Sequence, residues 1–248
     1  MRMQSRLTNS IHIAHSGNYQ IGRSGYKVCK ITPHQMAGKL TGTQCAVNIF
    51  GKAGRKASAN YCIGYEGDIV CNVYEENRAY TSSSKWNDCQ AITIEVSNSA
   101  NGTDNITEAS WNSLVNLCVD ICQRYNFKLV YDGTKNGTLT THNMYASTSC
   151  PGKVIKSRLN ELVETVNKRL SGDIPQEEDF EVAKTYKNRE KSEPVYADTG
   201  LTLKTGSLDP YEICDCLAIV DGKYLVKYKV NGKNTYKTGF VAYSGGVK

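Results

Sequence analysis

The stretch from Thr141 to Gly152 constrains the fold and chemistry of this chain more than any other. It places His142 eight residues before Cys150, and a Pro-Gly pair then interrupts the backbone ahead of a helical pattern. Imidazole and thiolate are both good zinc ligands, and the same pair also occurs as a cysteine nucleophile with its histidine base. A polar loop with one buried cysteine and one surface histidine is a third interpretation. The stretch alone leaves all three open.

The composition indicates a folded globular protein without membrane insertion. The chain has 248 residues, of which 40% are hydrophobic and 22% are charged, enough for one large domain or for a domain of about 150–170 residues and a smaller one. No apolar run approaches the roughly 20 residues that span a bilayer. The basic N-terminus lacks an apolar segment behind it, so no secretory signal is predicted.

The charge distribution indicates the class of partner, and the cysteine content indicates whether the thiols are reduced. Residues 1–172 contain 19 Lys and Arg against 12 Asp and Glu, whereas residues 173–248 contain 11 against 12. A basic larger part favours an anionic polymer surface. Nucleic acid is not expected, because the basic residues are scattered rather than interleaved with aromatics. The ten cysteines are spread over a chain too large to need disulfide staples, so reduced thiols are expected.

Hydrophobic periodicity predicts a mixed α/β domain over residues 1–171, with a central sheet flanked by helices. Pro33 is expected to end the first strand, and Thr43 to cap a short helix. A capped helix begins after Thr107, and the last helix is expected to end at Ser171-Gly172. The predicted strands are 26–32, 59–64, 69–73, 91–96 and a short one at 129–131, and the predicted helices are 43–50, 107–125 and 153–170.

The remainder of the chain is predicted to form a linker and a small second domain. Residues 172–192 are acidic and poor in apolar side chains, as is typical of a linker. Residues 193–248 contain five short strand signals separated by turn residues, near 195–196, 201–203, 212–214, 224–228 and 239–242. Short strands at even spacing are typical of a small β-barrel.

Two further residues join the opening stretch in one predicted site. His34 follows the first strand and Glu95 lies near the end of another, and the strand-end loops of an α/β sheet meet at one edge. Two histidines and one cysteine leave one tetrahedral position open, the arrangement of catalytic zinc, and Glu95 is the carboxylate placed to act as general base. His12 or His15 remains an alternative first ligand. A nucleophilic Cys150 would leave His34 unexplained.

Four segments resemble the zinc-dependent N-acetylmuramoyl-L-alanine amidases of type 2, which are related to peptidoglycan recognition proteins. The resemblance covers residues ~25–170, with the segments in the family's order, and is greatest toward endolysins of phages that infect Gram-positive, clostridia-like hosts. The segments are KITPHQMAG at 30–38, SANYCIG at 58–64, AITIEV at 91–96 and TH at 141–142 with TSCPG at 148–152.

The resemblance implies a role for seven residues. His34, His142 and Cys150 would hold Zn²⁺, Glu95 would be the catalytic acid and base, and Thr148 would help to stabilise the oxyanion. Tyr80 is expected against the substrate, and Asn60 is expected to line the pocket floor. The tyrosine that some relatives use as a catalytic partner aligns with Ala59, so Tyr61 is predicted to have only a core or wall role. Pro33 and Gln35 around His34 also depart from the family pattern.

The implied activity is hydrolysis of the amide between N-acetylmuramic acid and L-alanine in Gram-positive peptidoglycan, which lyses the cell wall. The resemblance further implies an enzyme made in the host cytoplasm without a signal peptide and released with the help of a holin. Residues 193–248 resemble a bacterial SH3-like wall-binding domain. A bacterial autolysin of the same activity and a cysteine peptidase remain alternatives. A binding-only recognition domain would lack the three metal ligands.

Overall fold

Two separate sheets organise the described residues, which are 3–171, 185–220, 223–230 and 235–242 of a computed structural model. Each sheet belongs to its own unit of the chain, Met1–Asp173 or Ile174–Lys248. Within the described ranges, no helix combines the length and the apolar character needed to cross a membrane.

The first unit alternates strands and helices, as the hydrophobic periodicity predicts. In chain order its elements are strands β1 (Ser10–Ile11), β2 (Tyr19–Gln20) and β3 (Lys30–Gln35), helix α1 (Gly42–Gln44) with a π-helical segment over Cys45–Phe50, strands β4 (Tyr61–Ile63), β5 (Ile69–Cys71) and β6 (Arg78–Ala79), helix α2 (Lys85–Gln90), strand β7 (Ala91–Val96), and helices α3 (Glu108–Tyr125), α4 (Gly152–Ser157) and α5 (Leu159–Ser171).

Five of these strands form a mixed sheet in the order β1-β5-β4-β7-β3. β3 and β4 both pair in parallel with β7, while β4 and β5, near the predicted strands 59–64 and 69–73, form an antiparallel hairpin. The N-terminal segment adds β1 to the opposite edge, in parallel with β5. Strands β2 and β6 pair with each other outside this sheet. The predicted α/β domain with a central sheet and flanking helices is confirmed.

One apolar core joins the sheet to the long helices. The helix predicted after Thr107 is present, and the Thr107 side chain caps it by accepting the Ser110 N–H. Its inner face and that of α5 are buried together against the sheet, and Leu114, Leu117 and Ile121 are fully buried. Each such side chain stabilises the fold by about 1.5–3 kcal/mol through removal from water. This core fixes the positions of strands β3 and β7, which carry His34 and Glu95 of the predicted site.

The first predicted strand differs from the observed one. Pro33 does not end it, because the strand runs from Lys30 to Gln35 and includes His34. β3 is an edge strand, and the N–H of Ile31 points away from β7 to donate to the Thr138 carbonyl. Pro33, two residues later, faces the same outer side, where it withdraws no ladder hydrogen bond.

Several predicted element boundaries are also wrong. Thr41, not Thr43, caps the first short helix, where it forms a capping box with Gln44. Residues 129–131 form no strand, although the Leu139 N–H does donate to the Val130 carbonyl. The predicted helix 153–170 is two helices that meet at Arg158. Residues 74–90, where no element is predicted, contain β6 and α2.

The second unit is an all-β sheet in the order β10-β9-β13-β12-β11-β8, and every pairing in it is antiparallel. Cys214, Cys216, Val226 and Tyr228 are among the buried side chains that form its core. Its strands are β8 (Thr185–Lys187), β9 (Glu193–Tyr196), β10 (Lys204–Leu208), β11 (Ile213–Val220), β12 (Lys223–Lys229) and β13 (Tyr236–Val241).

The sheet begins inside the segment predicted as a linker, residues 172–192. β8 pairs with β11, and the Tyr186 side chain is fully buried and donates its hydroxyl hydrogen to Glu193 at 2.5 Å. A single buried tyrosine in an otherwise acidic, polar segment gives too weak a periodic signal to predict a strand. The rest of the predicted linker, with the predicted cap at Gly172, lies outside the described residues.

Candidate active site and metal centre

His34, His142 and Cys150 come together at one edge of the first sheet. One donor atom from each lies within 4.8 Å of the others. The Nδ1 atom of His34 is 3.3 Å from the Cys150 sulfur, and the two imidazole rings have their centroids 4.9 Å apart. His34 lies on β3, while His142 opens a short 3-10 helix and Cys150 ends the same loop. His34 and His142, which are 108 positions apart in the sequence, therefore join Cys150 in one donor cluster.

The outer edge of β3 contacts the loop that runs from His142 to Cys150. The Gln35 N–H faces outward, as the Ile31 N–H does, and donates to the Cys150 sulfur. Gly152 approaches Gln35 so closely that a Cβ atom at Gly152 would lie 2.1 Å from the Gln35 side-chain oxygen, and its φ is +83°. Only glycine accommodates this approach and this backbone angle without strain. The Pro-Gly pair after Cys150 thus has a packing role as well as a helix-starting one.

Three hydrogen bonds fix the loop that carries two of the donors. The Asn143 N–H donates to the Cys150 carbonyl at 3.2 Å, and the Cys150 N–H donates to the Thr148 hydroxyl oxygen at 3.2 Å. The Ser83 hydroxyl oxygen lies 3.3 Å from the Nε2 atom of His142. This contact occupies one ring nitrogen of His142 and leaves the other for a metal ion, and a hydrogen bond of this kind is common at metal-binding histidines.

A buried polar network supports the two histidine-bearing segments. The hydroxyls of Thr32 and Thr140 are 2.8 Å apart, and the Asn87 amide donates to Thr32 at 3.0 Å and accepts from Thr140 at 3.1 Å. Asn87 also donates to Ser82, whose hydroxyl donates to Asp88. The network links β3, α2 and the approach to His142. No sequence signal singles out these common polar residues.

Burial sets the protonation of the three donors. It lowers the pKa of His34 to about 3, with a further contribution from His142, and it also lowers the pKa of His142. Burial raises the pKa of Cys150 to about 12; the Glu95 carboxylate adds to this increase, and the Gln35 N–H opposes it. A nucleophilic cysteine needs a lowered pKa. The environment of Cys150 therefore disfavours the cysteine-peptidase alternative.

The donor set fits a zinc ion. Two imidazoles that stay neutral and one thiol supply the nitrogen and sulfur ligands that zinc prefers. The Nδ1 atom of His34 faces the Cys150 sulfur, whereas its Nε2 is buried and forms no hydrogen bond with any described residue. The histidines at positions 12 and 15 take no part, because within the described residues only His34, His142 and Cys150 form a group able to hold a metal.

Glu95 lies beside this cluster. It is the register partner of His34 on the parallel strand β7, and one of its carboxylate oxygens is buried without a hydrogen-bond partner among the described residues. Burial raises the pKa of Glu95 to about 8, while the positive charge of Arg55 acts in the opposite direction. A carboxyl group with a pKa near neutrality is suited to accept and return a proton.

A cleft of about 890 Å³ opens over the cluster and Glu95. Tyr80 and Thr148 line it. Asn60 does not. The Asn60 side chain is fully buried, donates to the carbonyls of Val73 and Asn77, and accepts the Thr93 N–H. Its role is therefore to join β7 to the segment that follows β5.

The sequence missed several cleft residues. Ser83, four basic side chains and most of an apolar wall lie in loops, short helices and strand β6, outside the four quoted motifs. Tyr61 is in the core, as predicted, where its hydroxyl accepts the Ser5 N–H. The basic cleft residues are Arg55, Lys56, Arg78 and Lys85, and the apolar ones include Met36, Leu40, Ile49, Phe50 and Ala57.

Comparison with known proteins decides the family. Residues 24–153, more than half of the chain, match the Amidase_2 model, described as N-acetylmuramoyl-L-alanine amidase. The chain belongs to this family. The matched range contains His34, Glu95, His142 and Cys150. A comparison with curated proteins finds no match.

Solved structures support the amidase fold. The structure of PlyL is similar with a TM-score of 0.52 and 14% identity over 67% of this chain and 97% of PlyL. The PlyG catalytic domain has a TM-score of 0.52 and 14% identity over 64% of this chain and 93% of that domain. A mutant endolysin from Bacillus subtilis has a TM-score of 0.50 and 14% identity, over 64% of this chain and 99% of that one. Through its family, the chain is an N-acetylmuramoyl-L-alanine amidase, an enzyme that acts on peptidoglycan.

Proposed function

We propose that the amidase is a zinc enzyme in which His34, His142 and Cys150 hold the metal. The observation that carries this proposal is the convergence of their three donor atoms within 4.8 Å beside a proton-accepting carboxyl group. When bound, zinc supplies Lewis acidity toward a carbonyl oxygen and water and a positive charge near Glu95. Nearby positive charge lowers a carboxyl pKa, so Glu95 is ionised in the loaded enzyme.

Glu95 acts as the general base and then as the general acid. It accepts a proton from the water that attacks the lactyl carbonyl carbon of the muramic acid. It then donates a proton to the L-alanine nitrogen as the carbon–nitrogen bond breaks, so that a carboxylate and a free amine are formed. Its partial burial keeps competing water away, and its strand position beside His34 holds it rigidly.

Thr148 and the cleft walls position the substrate. The Thr148 hydroxyl oxygen already accepts the Cys150 N–H, so its own hydrogen is available to donate to the developing oxyanion. Tyr80 lies at the cleft surface, where an aromatic ring can pack on the sugar or the peptide. The apolar wall of the cleft suits the methyl groups of the lactyl unit and of L-alanine.

We further propose that the enzyme is a phage endolysin that lyses a Gram-positive, clostridia-like host and reaches the wall with the help of a holin. The motifs at 30–38 and 148–152 and the basic first unit support this origin, and a similar fold carries the printed name endolysin. The antiparallel sheet of the second unit supports an SH3-like wall-binding domain, for which we propose residues 193–248 together with strand β8, and we propose the catalytic domain over residues 1–171. An autolysin made by a bacterium would share all these features except the release step.

Two measurements test the central proposal together. Elemental analysis of the purified protein should find one zinc per chain, and digestion of peptidoglycan should release glycan chains that end in free lactyl carboxylates together with peptides that begin with L-alanine. A dialysed, metal-free sample should be inactive until zinc is returned. Full activity in the metal-free protein, or cleavage between two amino acids instead, would contradict the proposal.

A further inference from the structure

The cleft of the amidase carries an unbalanced positive charge. Arg55, Lys56 and Lys85 line it and are exposed, and Arg78 lines it while partly buried. Within the described part of the chain, none of these four side chains forms an ion pair. A substrate that enters the cleft therefore meets four basic side chains and only two acidic ones, Asp88 and Glu95.

The two acidic side chains of the cleft offset these cations only in part, with Asp88 acting on Arg78 and Glu95 on Arg55. Asp88 is buried and accepts hydrogen bonds from the backbone N–H groups of Thr81 and Ser82 and from the Ser82 hydroxyl, so it is committed to its own loop. Glu95 has its proton-transfer role. Arg55 lies near enough to Glu95 for its charge to affect that carboxyl group. The positive charge thus extends to the reacting centre.

Arg78 is held in place before any ligand arrives. Its backbone lies in β6, paired with Gln20 of β2, and its Nη1 donates to the Gln20 side-chain oxygen at 2.9 Å. Its guanidinium carbon lies 4.6 Å from the centroid of the Tyr80 ring. Its Nε is buried and has no hydrogen-bond partner among the described residues. The Nη hydrogens that Gln20 does not take remain for a ligand, and paired guanidinium donors of this kind recognise a carboxylate.

From these contacts we propose that Arg78, assisted by Arg55 and Lys56, forms a subsite for a free carboxylate of the stem peptide, so that the amidase prefers stem peptides with a free carboxylate next to L-alanine over amidated ones. This inference rests on the proposed function, because the scissile amide must lie beside Glu95. A carboxamide in the same place carries no charge and would direct N–H donors as well as an acceptor at the cation.

The test compares two soluble muropeptides of equal length that differ at one group. In one, the glutamate after L-alanine has a free carboxyl, and in the other that carboxyl is a carboxamide. The zinc-loaded full chain should cleave the free acid with a kcat/KM higher by about 10-fold or more, the worth of one charge-assisted hydrogen bond. Equal values for the two substrates would overturn the inference. Cleavage of neither would instead contradict the proposed function.

Arg78→Gln should lower kcat/KM for the free acid to near the value for the carboxamide while changing the carboxamide value little. Arg55→Gln alters an exposed side chain, so the variant should fold normally. Its kcat/KM for the free acid should also fall, but by less than in Arg78→Gln. Lys168→Gln makes the same charge change on an exposed residue of α5 and should leave both substrates unaffected. An equal loss on both substrates in Arg78→Gln would show that the residue has only a structural role.

Discussion

His34 and Glu95 are register partners on the adjacent parallel strands β3 and β7. Their Cα atoms face each other across one strand spacing, so a proposed metal ligand and the proposed general base are held by sheet hydrogen bonds and not by a loop. The other two proposed ligands reach this pair from the loop that begins at His142. Because the sheet holds both residues rigidly, a substitution at one of them should not displace the other, and the contribution of each to catalysis can be measured separately.

Glu95→Gln should lower kcat by about 10²–10⁴-fold, the usual contribution of a general acid and base. Zinc content should stay at one per chain, because the carboxyl group is not among the three donors. The measurement is turnover of a soluble muropeptide alongside elemental analysis. Near-normal turnover would remove Glu95 from the mechanism.

Cys150→Ser should abolish stoichiometric zinc binding along with activity, because a hydroxyl is a far poorer zinc ligand than a thiolate. Cys29→Ser is the matched control. Cys29 is the other partly exposed cysteine of the described chain, and its sulfur donates a hydrogen bond to the Gln90 side chain. The control should keep both metal and activity. A Cys150→Ser protein that retained one zinc would exclude the thiol as a ligand.

Ser83→Ala should weaken zinc affinity by about 10–100-fold, the usual effect of removing a hydrogen bond to a metal-binding histidine. Ser83 has a φ of +58°, so loss of affinity in the alanine variant could also reflect backbone strain. Ser83→Gly separates the two, because glycine tolerates this φ but lacks the hydroxyl. Competition titration against a chelating dye should find the same loss in both variants. Recovery of affinity in Ser83→Gly would assign the effect to the backbone.

Metal-free protein should lose stability as pH rises through the range in which Glu95 ionises. Burial raises the folded-state pKa of Glu95 from 4.5 to about 8, so the stability linked to its protonated form is fully present below pH 4.5 and is lost as pH rises toward 8. The free energies of unfolding of Glu95→Gln and of the parent protein, measured in urea, should therefore diverge between pH 5 and pH 8. The variant should become the more stable of the two by up to about 4 kcal/mol. A difference that does not change with pH would contradict this expectation.

Removing residues 174–248 should weaken binding to intact Gram-positive walls while leaving hydrolysis of a soluble muropeptide within a few-fold of the full chain. All the cleft residues lie in the first unit, so the chemistry does not require the second. Wall pull-down and muropeptide turnover measure the two effects separately. Unchanged pull-down would contradict a wall-binding role for the second unit.

Local patterns predicted most of the elements of the first unit. The strand at 91–96 and the helix capped by Thr107 follow from periodicity and capping chemistry, which act over a few residues. The boundary errors at Pro33 and at residues 172–192 share one cause. Whether a proline interrupts a strand depends on which edge its nitrogen faces, and whether Tyr186 forms a strand depends on a partner 28 positions away.

Motif chemistry by itself determined the donor types, the candidate base and the family. Only the tertiary structure decided that His34, His142 and Cys150 meet within bonding range, that Asn60 is a buried structural amide, and that Ser83 and Arg78 belong to the cleft. The physical reason is that side-chain identity is a property of the chain, whereas burial, proximity and the resulting pKa of Glu95 arise only when strand β3 and the loop from His142 to Cys150 pack together.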